Sequence, residues 1–201
     1  FGARRFLERK QSEFSRISLE KIDDVVLERA VYRRRVPAAR WRLQRKGSIE
    51  QLVVLDAVHG DSINRAVTGF WSAAASGERL SIDEGGRTRA LSVHVAGYVG
   101  HNRLMDGLAL PEDKPNPAAL PSFVLACYSE SYFGSKLRRA GSTPLVTTRQ
   151  LMAPEGYVLD AVLRGIGDGD DRSKIRERAV SAYAKWQKLS HGVASSIFAK
   201  H

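Results

Sequence analysis

The sequence predicts a three-layer α/β/α domain with a mostly parallel sheet, preceded by a basic helical segment. Short apolar runs of strand length at 51–57, 90–99 and 122–126 alternate with stretches whose apolar residues recur every three or four positions, the order that builds a parallel sheet covered by helices. The run Gln51-Leu52-Val53-Val54-Leu55-Asp56-Ala57 is nearly continuous and rich in β-branched residues, which suits a strand covered on both faces. A chain of 201 residues that is 43% hydrophobic and 27% charged can bury one core of ordinary size without staples.

Residues 4–35 contain no Pro, and Phe6, Phe14, Ile17, Ile22, Val25, Val26 and Val31 recur at mixed three- and four-residue intervals. That spacing predicts one or two amphipathic helices, stopped at Pro37 and joined by a basic connector to a domain over 48–201. Residues 1–47 hold 14 Lys and Arg against 6 Asp and Glu, so most of the net charge of +10 lies there. Such an asymmetry suits an arm for an anionic surface or partner; the alternative is a solvated helix face carrying Arg33, Arg34 and Arg35. No aromatic residues interleave with the charges in the manner of base stacking, so a nucleic-acid partner is not expected.

Beyond the first strand, Asp61 or Ser62 can cap a helix through Ile63, Ala66, Val67, Phe70 and Ala74, which Gly77 ends. Residues 80–82 and 90–99 read as strands around a turn at Asp83-Glu84-Gly85-Gly86, and the Pro-rich residues 111–121 read as loop. Residues 122–126 form another buried strand, followed by a helix over 129–139, a strand over 144–148, and helices over 154–164, 172–189 and 193–198. Asp83, Glu84, Asp168, Asp170 and Asp171 fall in turns, as solvated acids or, for the last three, a weak cation site. No run approaches the roughly 18 apolar residues of a spanning helix, and a compartment is not readable because the chain opens at Phe1.

Several chemistries lack their minimal motif. There is no Gly-x-Gly-x-x-Gly, no phosphate loop, no His-Glu-x-x-His and no Gly-x-Ser-x-Gly, so no cofactor or metal is expected. The lone Cys127 can form neither an intramolecular disulfide nor a cysteine-based zinc site.

In parallel α/β sheets the working residues gather at the carboxyl ends of strands. One strand here ends Asp56-Ala57-Val58-His59, another Gly100-His101-Asn102, and a third Ala126-Cys127-Tyr128-Ser129. If the last two strands are neighbours, His101 and Cys127 meet as a thiol nucleophile and its base. The helix expected after Cys127 would stabilise a thiolate and then an oxyanion. A lone cysteine after Phe-Val-Leu-Ala also suits a core position; His101 at the matching strand end favours chemistry. His94, inside an alternating strand, is expected to be structural.

A hydrophobic strand ending in His, followed by one ending in Ala-Cys, resembles the caspase-like clan of cysteine peptidases, which includes caspases, legumains, gingipains and separases. The matching pieces are residues 91–101 and 122–129, within a resemblance that spans about residues 48–165. Residues 100–106, Gly-His-Asn-Arg-Leu-Met-Asp, are also similar to a motif of bacterial proteins of unassigned function. The resemblance implies a cysteine peptidase acting on peptide or protein substrates, with Cys127 as nucleophile and His101 as base and acid. The backbone N–H groups of Cys127 and Asn102 are then candidate oxyanion donors. In the clan's topology Asp56 and His59 would approach His101 from the side opposite Cys127, as substrate-binding residues; Asp56 could instead orient His101, cap a helix or pair with an Arg. Asn102 stands where the clan has Gly, and the short stretch between His101 and Cys127 has room for a loop rather than a crossover helix. The alternative from another class is a non-catalytic caspase-like interaction module whose basic segment holds an anionic partner.

Overall fold

The computed structural model describes residues 2–44, 46–111 and 114–200. The chain is mixed α/β, and its strands fall into three groups. The strands β1 (Ser15–Glu20), β2 (Val26–Pro37) and β3 (Ser48–Val58) form an antiparallel sheet in that order. A hairpin joins β4 (Arg79–Asp83) to β5 (Thr88–Ser92), and β6 (Ala96–Val99), β7 (Ser122–Leu125) and β8 (Pro144–Val146) form a parallel sheet.

The helical reading of residues 4–35 is overturned: after the short α1 (Ala3–Leu7), this stretch is strand. Part of the reason lies in β2, where Val31 is buried out of step with its inward-facing neighbours and a cation takes an inward position. Along β2, Ala30, Tyr32, Arg34 and Val36 all point inward and are buried, while Arg35 is exposed. Arg34 is a cation in an inward position of a strand, so the period-2 alternation that marks a half-buried strand is broken in the sequence. Its guanidinium is matched on site, donating to Asp168 Oδ1 (2.8 Å) and to the Arg164 carbonyl (3.3 Å) and pairing with Glu13. Asp168 is therefore no solvated loop acid. It also meets Arg178 (2.8 Å) and Arg40 (3.4 Å), and Asp170 pairs with Lys174 and Arg178.

The strand over 51–57 is also corrected. It belongs to β3, which pairs antiparallel with β2 from Val58 opposite Val26 to Ser48 opposite Pro37, and most of its side chains are half-exposed or exposed. A central parallel strand would have both faces covered; β3 has one. Residues 1–47 are not an appendage either, because Phe6, Leu7, Phe14, Ala30 and Tyr32 share a core with α4 (Gly156–Gly167), α5 (Arg172–Gln187) and α6 (His191–Ile197).

The parallel sheet follows its expected alternation. Phe123 and Leu125 enter the core made with α4 and α5, while Val124 and Ala126 enter a second core with α2 (Ile63–Ser76) and α3 (Ser135–Ala140). Gly97 of β6 has a steric reason to lack a side chain: a Cβ there would stand 2.2 Å from the Phe123 Cζ. Gly77, with φ +77°, ends α2 in a conformation that L side chains rarely adopt. The 90–99 run is divided between β5 and β6, and His94 is an exposed residue at the bend between them, not a strand interior. Among the described residues no helix is long and apolar enough to cross a membrane.

Candidate active site

Strands β6 and β7 are parallel neighbours, with Val99 opposite Leu125 and the Gly100 N–H donating to the Leu125 carbonyl at 3.2 Å. His101 and Cys127 each follow that pair by two residues, at matched positions beyond the carboxyl ends of adjacent strands. The adjacency expected from the sequence is present. The connection through residues 100–121 runs without a crossover helix among its described residues.

The Cys127 turn is fixed by the segment that follows β8. Tyr128 takes the left-handed conformation at φ +51°, uncommon for a residue with a Cβ, and its neighbours hold it there. The Tyr128 N–H donates to the Gln150 carbonyl (3.0 Å), the Glu130 N–H to the Thr148 carbonyl (2.9 Å), and the Ser129 hydroxyl to the Val124 carbonyl (2.8 Å). The Thr148 hydroxyl donates to the Ala126 carbonyl. A π-helical turn over Glu130–Gly134 then leads into α3, so a helix does follow the cysteine. The half-buried sulfur accepts from the Met152 N–H (3.4 Å) and can donate to the Met152 carbonyl (3.6 Å).

His101 is half-exposed, and its Nε2 lies 2.7 Å from Asp106 Oδ2. Asp106 also accepts from Arg103 (2.6 Å), and these two bonds, that of His101 first, hold its carboxyl below the usual carboxylate range. Tyr98 donates to the His101 carbonyl at 2.7 Å, and burial pushes that phenol up to about 12. With Nε2 turned to Asp106, Nδ1 is the ring nitrogen left for a reacting atom. The hydrogen bonds of Cys127 and His101 lead to Met152 and Asp106 and do not join the two side chains.

Asn102 corrects an expectation. It is fully buried, its side-chain amide donates to the Cys127 carbonyl at 2.7 Å, and its side-chain oxygen accepts from the Leu104 N–H at 3.1 Å. A backbone N–H on a residue with no exposure cannot reach a substrate oxygen, so Asn102 ties the two strand ends together instead of lining an oxyanion hole. Cys127 keeps a backbone N–H that, among the described residues, finds no protein acceptor.

Asp56 and His59 lie elsewhere. Strand β3 pairs with β2 and not with β6, so the placement of both beside His101 loses its basis. Asp56 forms a two-bond fork with Arg29, both bonds 2.7 Å, the Arg pairing that was one of its alternatives. The His59 ring accepts from the Asp61 N–H (3.2 Å) at the start of a short helical turn.

Sequence reasoning did not single out Asp106, Thr148 or Met152 for the site. Asp106 closes the Gly-His-Asn-x-Leu-Met-Asp motif and could have been taken from it. Thr148 and Met152 act through backbone proximity and leave no such signal. Among the described residues no group of three His, Cys, Asp or Glu could hold a metal ion. No protein-family model, curated protein or solved structure matches the chain.

Proposed function

We propose that this chain is a cysteine hydrolase of the caspase-like kind, a three-layer α/β/α domain that cleaves peptide bonds through Cys127 and His101. The observation that carries the reading is the parallel register of β6 and β7, which puts a histidine and a cysteine at matched strand ends. Asp106 supports it by orienting the imidazole at 2.7 Å, the arrangement of base and orienter that thiol catalysis uses. In the reaction the Cys127 sulfur, having given its proton to His101, adds to the substrate carbonyl carbon. The Cys127 N–H stabilises the oxyanion, and His101 returns the proton to the leaving amine as the C–N bond breaks. Water then attacks the thioester, His101 takes its proton and passes it to the departing sulfur, and the free acid leaves.

The second reading, a non-catalytic module, is favoured by the burial of Asn102, which removes one expected oxyanion donor. Its basic arm is less favoured, since the N-terminal arginines Arg4, Arg9, Arg16, Arg29, Arg33 and Arg34 all meet carboxylates. Iodoacetamide labelling of the native chain near neutral pH separates the readings. The hydrolase predicts labelling at Cys127 that slows about tenfold in His101→Ala, and cleavage of at least one member of a fluorogenic peptide panel. Labelling only after denaturation, with no peptide cleaved, supports the module.

A further inference from the structure

Positive charge without an ion-pair partner is not confined to the N-terminal segment. Outside that segment, cations line two cavities that share Lys200. One cavity, of about 570 Å³, is lined by Arg149, His191, Ser195 and Lys200 among others; the second, of about 310 Å³, is lined by Arg172, Ser173, Arg176 and Lys200. Among the described residues the side chains of Arg149, Arg172 and Lys200 enter no ion pair.

The cations differ in their duties. His191 is held by Glu177 at 2.6 Å, and Arg176 donates to the Ser195, Phe198 and Ala199 carbonyls, which makes it a structural clamp on the end of α6. Arg172 has no such duty. Its Nε and Nη2 are buried without a hydrogen-bond partner, and burial, then the positive charge of Arg138, holds its pKa below the usual value, with Glu130 opposing. Buried donors without acceptors cost free energy, and packing alone does not require a guanidinium there. The nearby carboxylates are occupied: Glu130 pairs with Arg138, Glu177 with His191, and Asp171 caps the Lys174 N–H.

We propose that this cleft binds a phosphate-bearing small molecule with at least two phosphoryl groups, Arg172 holding one and Arg149 with Lys200 the other. An Arg172 Nη1–H can give a phosphoryl oxygen a charge-assisted hydrogen bond, and two cavities that share a lining lysine suit a ligand with charge at both ends. The volumes are of the size that small-ligand sites occupy. The inference does not depend on Cys127 or His101.

The test is calorimetric titration of the full chain with inorganic tripolyphosphate, using citrate and inorganic phosphate as comparators. Expected are saturable one-to-one binding, weakening by about tenfold in Arg172→Gln, a smaller loss in Arg149→Gln, and no change in Arg35→Gln. Citrate and single phosphate should bind at least about tenfold more weakly than tripolyphosphate. Unliganded Arg172→Gln should keep the wild-type melting temperature, because the side chain it loses had no partner. Equal affinity for citrate, equal affinity in both cleft variants and wild type, or a large fall in melting temperature for Arg172→Gln would each overturn the proposal.

Discussion

Replacing Arg34 by Met tests whether a buried charge fixes strand β2 against the helices. Arg34 and Asp168 are 7% and 5% exposed and 2.8 Å apart. Removing one partner of a buried pair typically costs about 3–5 kcal/mol, because the other is left without its counter-charge. Here Asp168 keeps Arg178 and Arg40, and Glu13, being half-exposed, returns to water at little cost. The expected loss is therefore at the lower end, about 3 kcal/mol, against a total stability of about 5–15 kcal/mol. Urea unfolding reads it as a midpoint about 1.5 M lower at an unchanged slope of about 2 kcal/mol per M. The double variant with Asp168→Asn should lose at least about 1 kcal/mol less than the two single losses added together. A loss under about 1 kcal/mol at unchanged slope, with additive single effects, would refute the argument that this charge organises the strand.

Acid should expose the same network. Bonds from Arg34 and the charges of Arg34, Arg178 and Arg40 outweigh burial and hold the Asp168 carboxyl below the usual range, so the folded chain takes up this proton less readily than the unfolded one. Its contribution is complete above the unfolded value of about 3.9 and is lost as pH falls through the lower folded value. Urea midpoints measured from pH 6 downward should accordingly fall more steeply in wild type than in Asp168→Asn. Gly97→Ala should cost about 1–3 kcal/mol, since the added methyl meets the buried Phe123 ring, and a melting temperature equal to wild type would show that the ring can move aside. Asp106→Asn, at an exposed pair, should leave the melting temperature unchanged yet slow iodoacetamide labelling of Cys127 by about tenfold; wild-type labelling would show that His101 needs no orienter.

The parts legible in the sequence were those whose pattern is local. The stretch 63–76 shows helical spacing between a capping region and Gly77 and is a helix; the apolar run Phe123 to Ala126 marks β7, a fully buried strand. The matched positions of His101 and Cys127 followed from the same logic, because they depend on little more than β6 and β7 being neighbours. What could not be read was set by distant partners. Arg34 looks like a surface residue until Glu13 and Asp168 are brought to it from either end of the chain. The partner of β3 is a strand that reads as a helix, so Asp56 was assigned to the wrong neighbour. Asn102 gave no sign of burial, since its two bonds reach a carbonyl and an N–H that any sequence supplies.

The link between β6 and β7, which holds no helix among its described residues, bears on how the chain folds. Parallel strands ordinarily become neighbours through a helix that forms early on its own contacts. Here the link must be tacked onto elements already in place: Leu104 and Leu110 into the α2 core, the Leu120 N–H onto the Ala74 carbonyl, and the Asn116 N–H onto the Ala140 carbonyl. Pairing between segments so far apart in the chain carries a loop-closure cost that local structure does not repay. The expected order is that β6 docks on β7 after α2 and α3 have formed. By the same ordering, hydrogen exchange should find the β6 amides opening below the global limit, so that the alignment of His101 with Cys127 melts before the chain around it does.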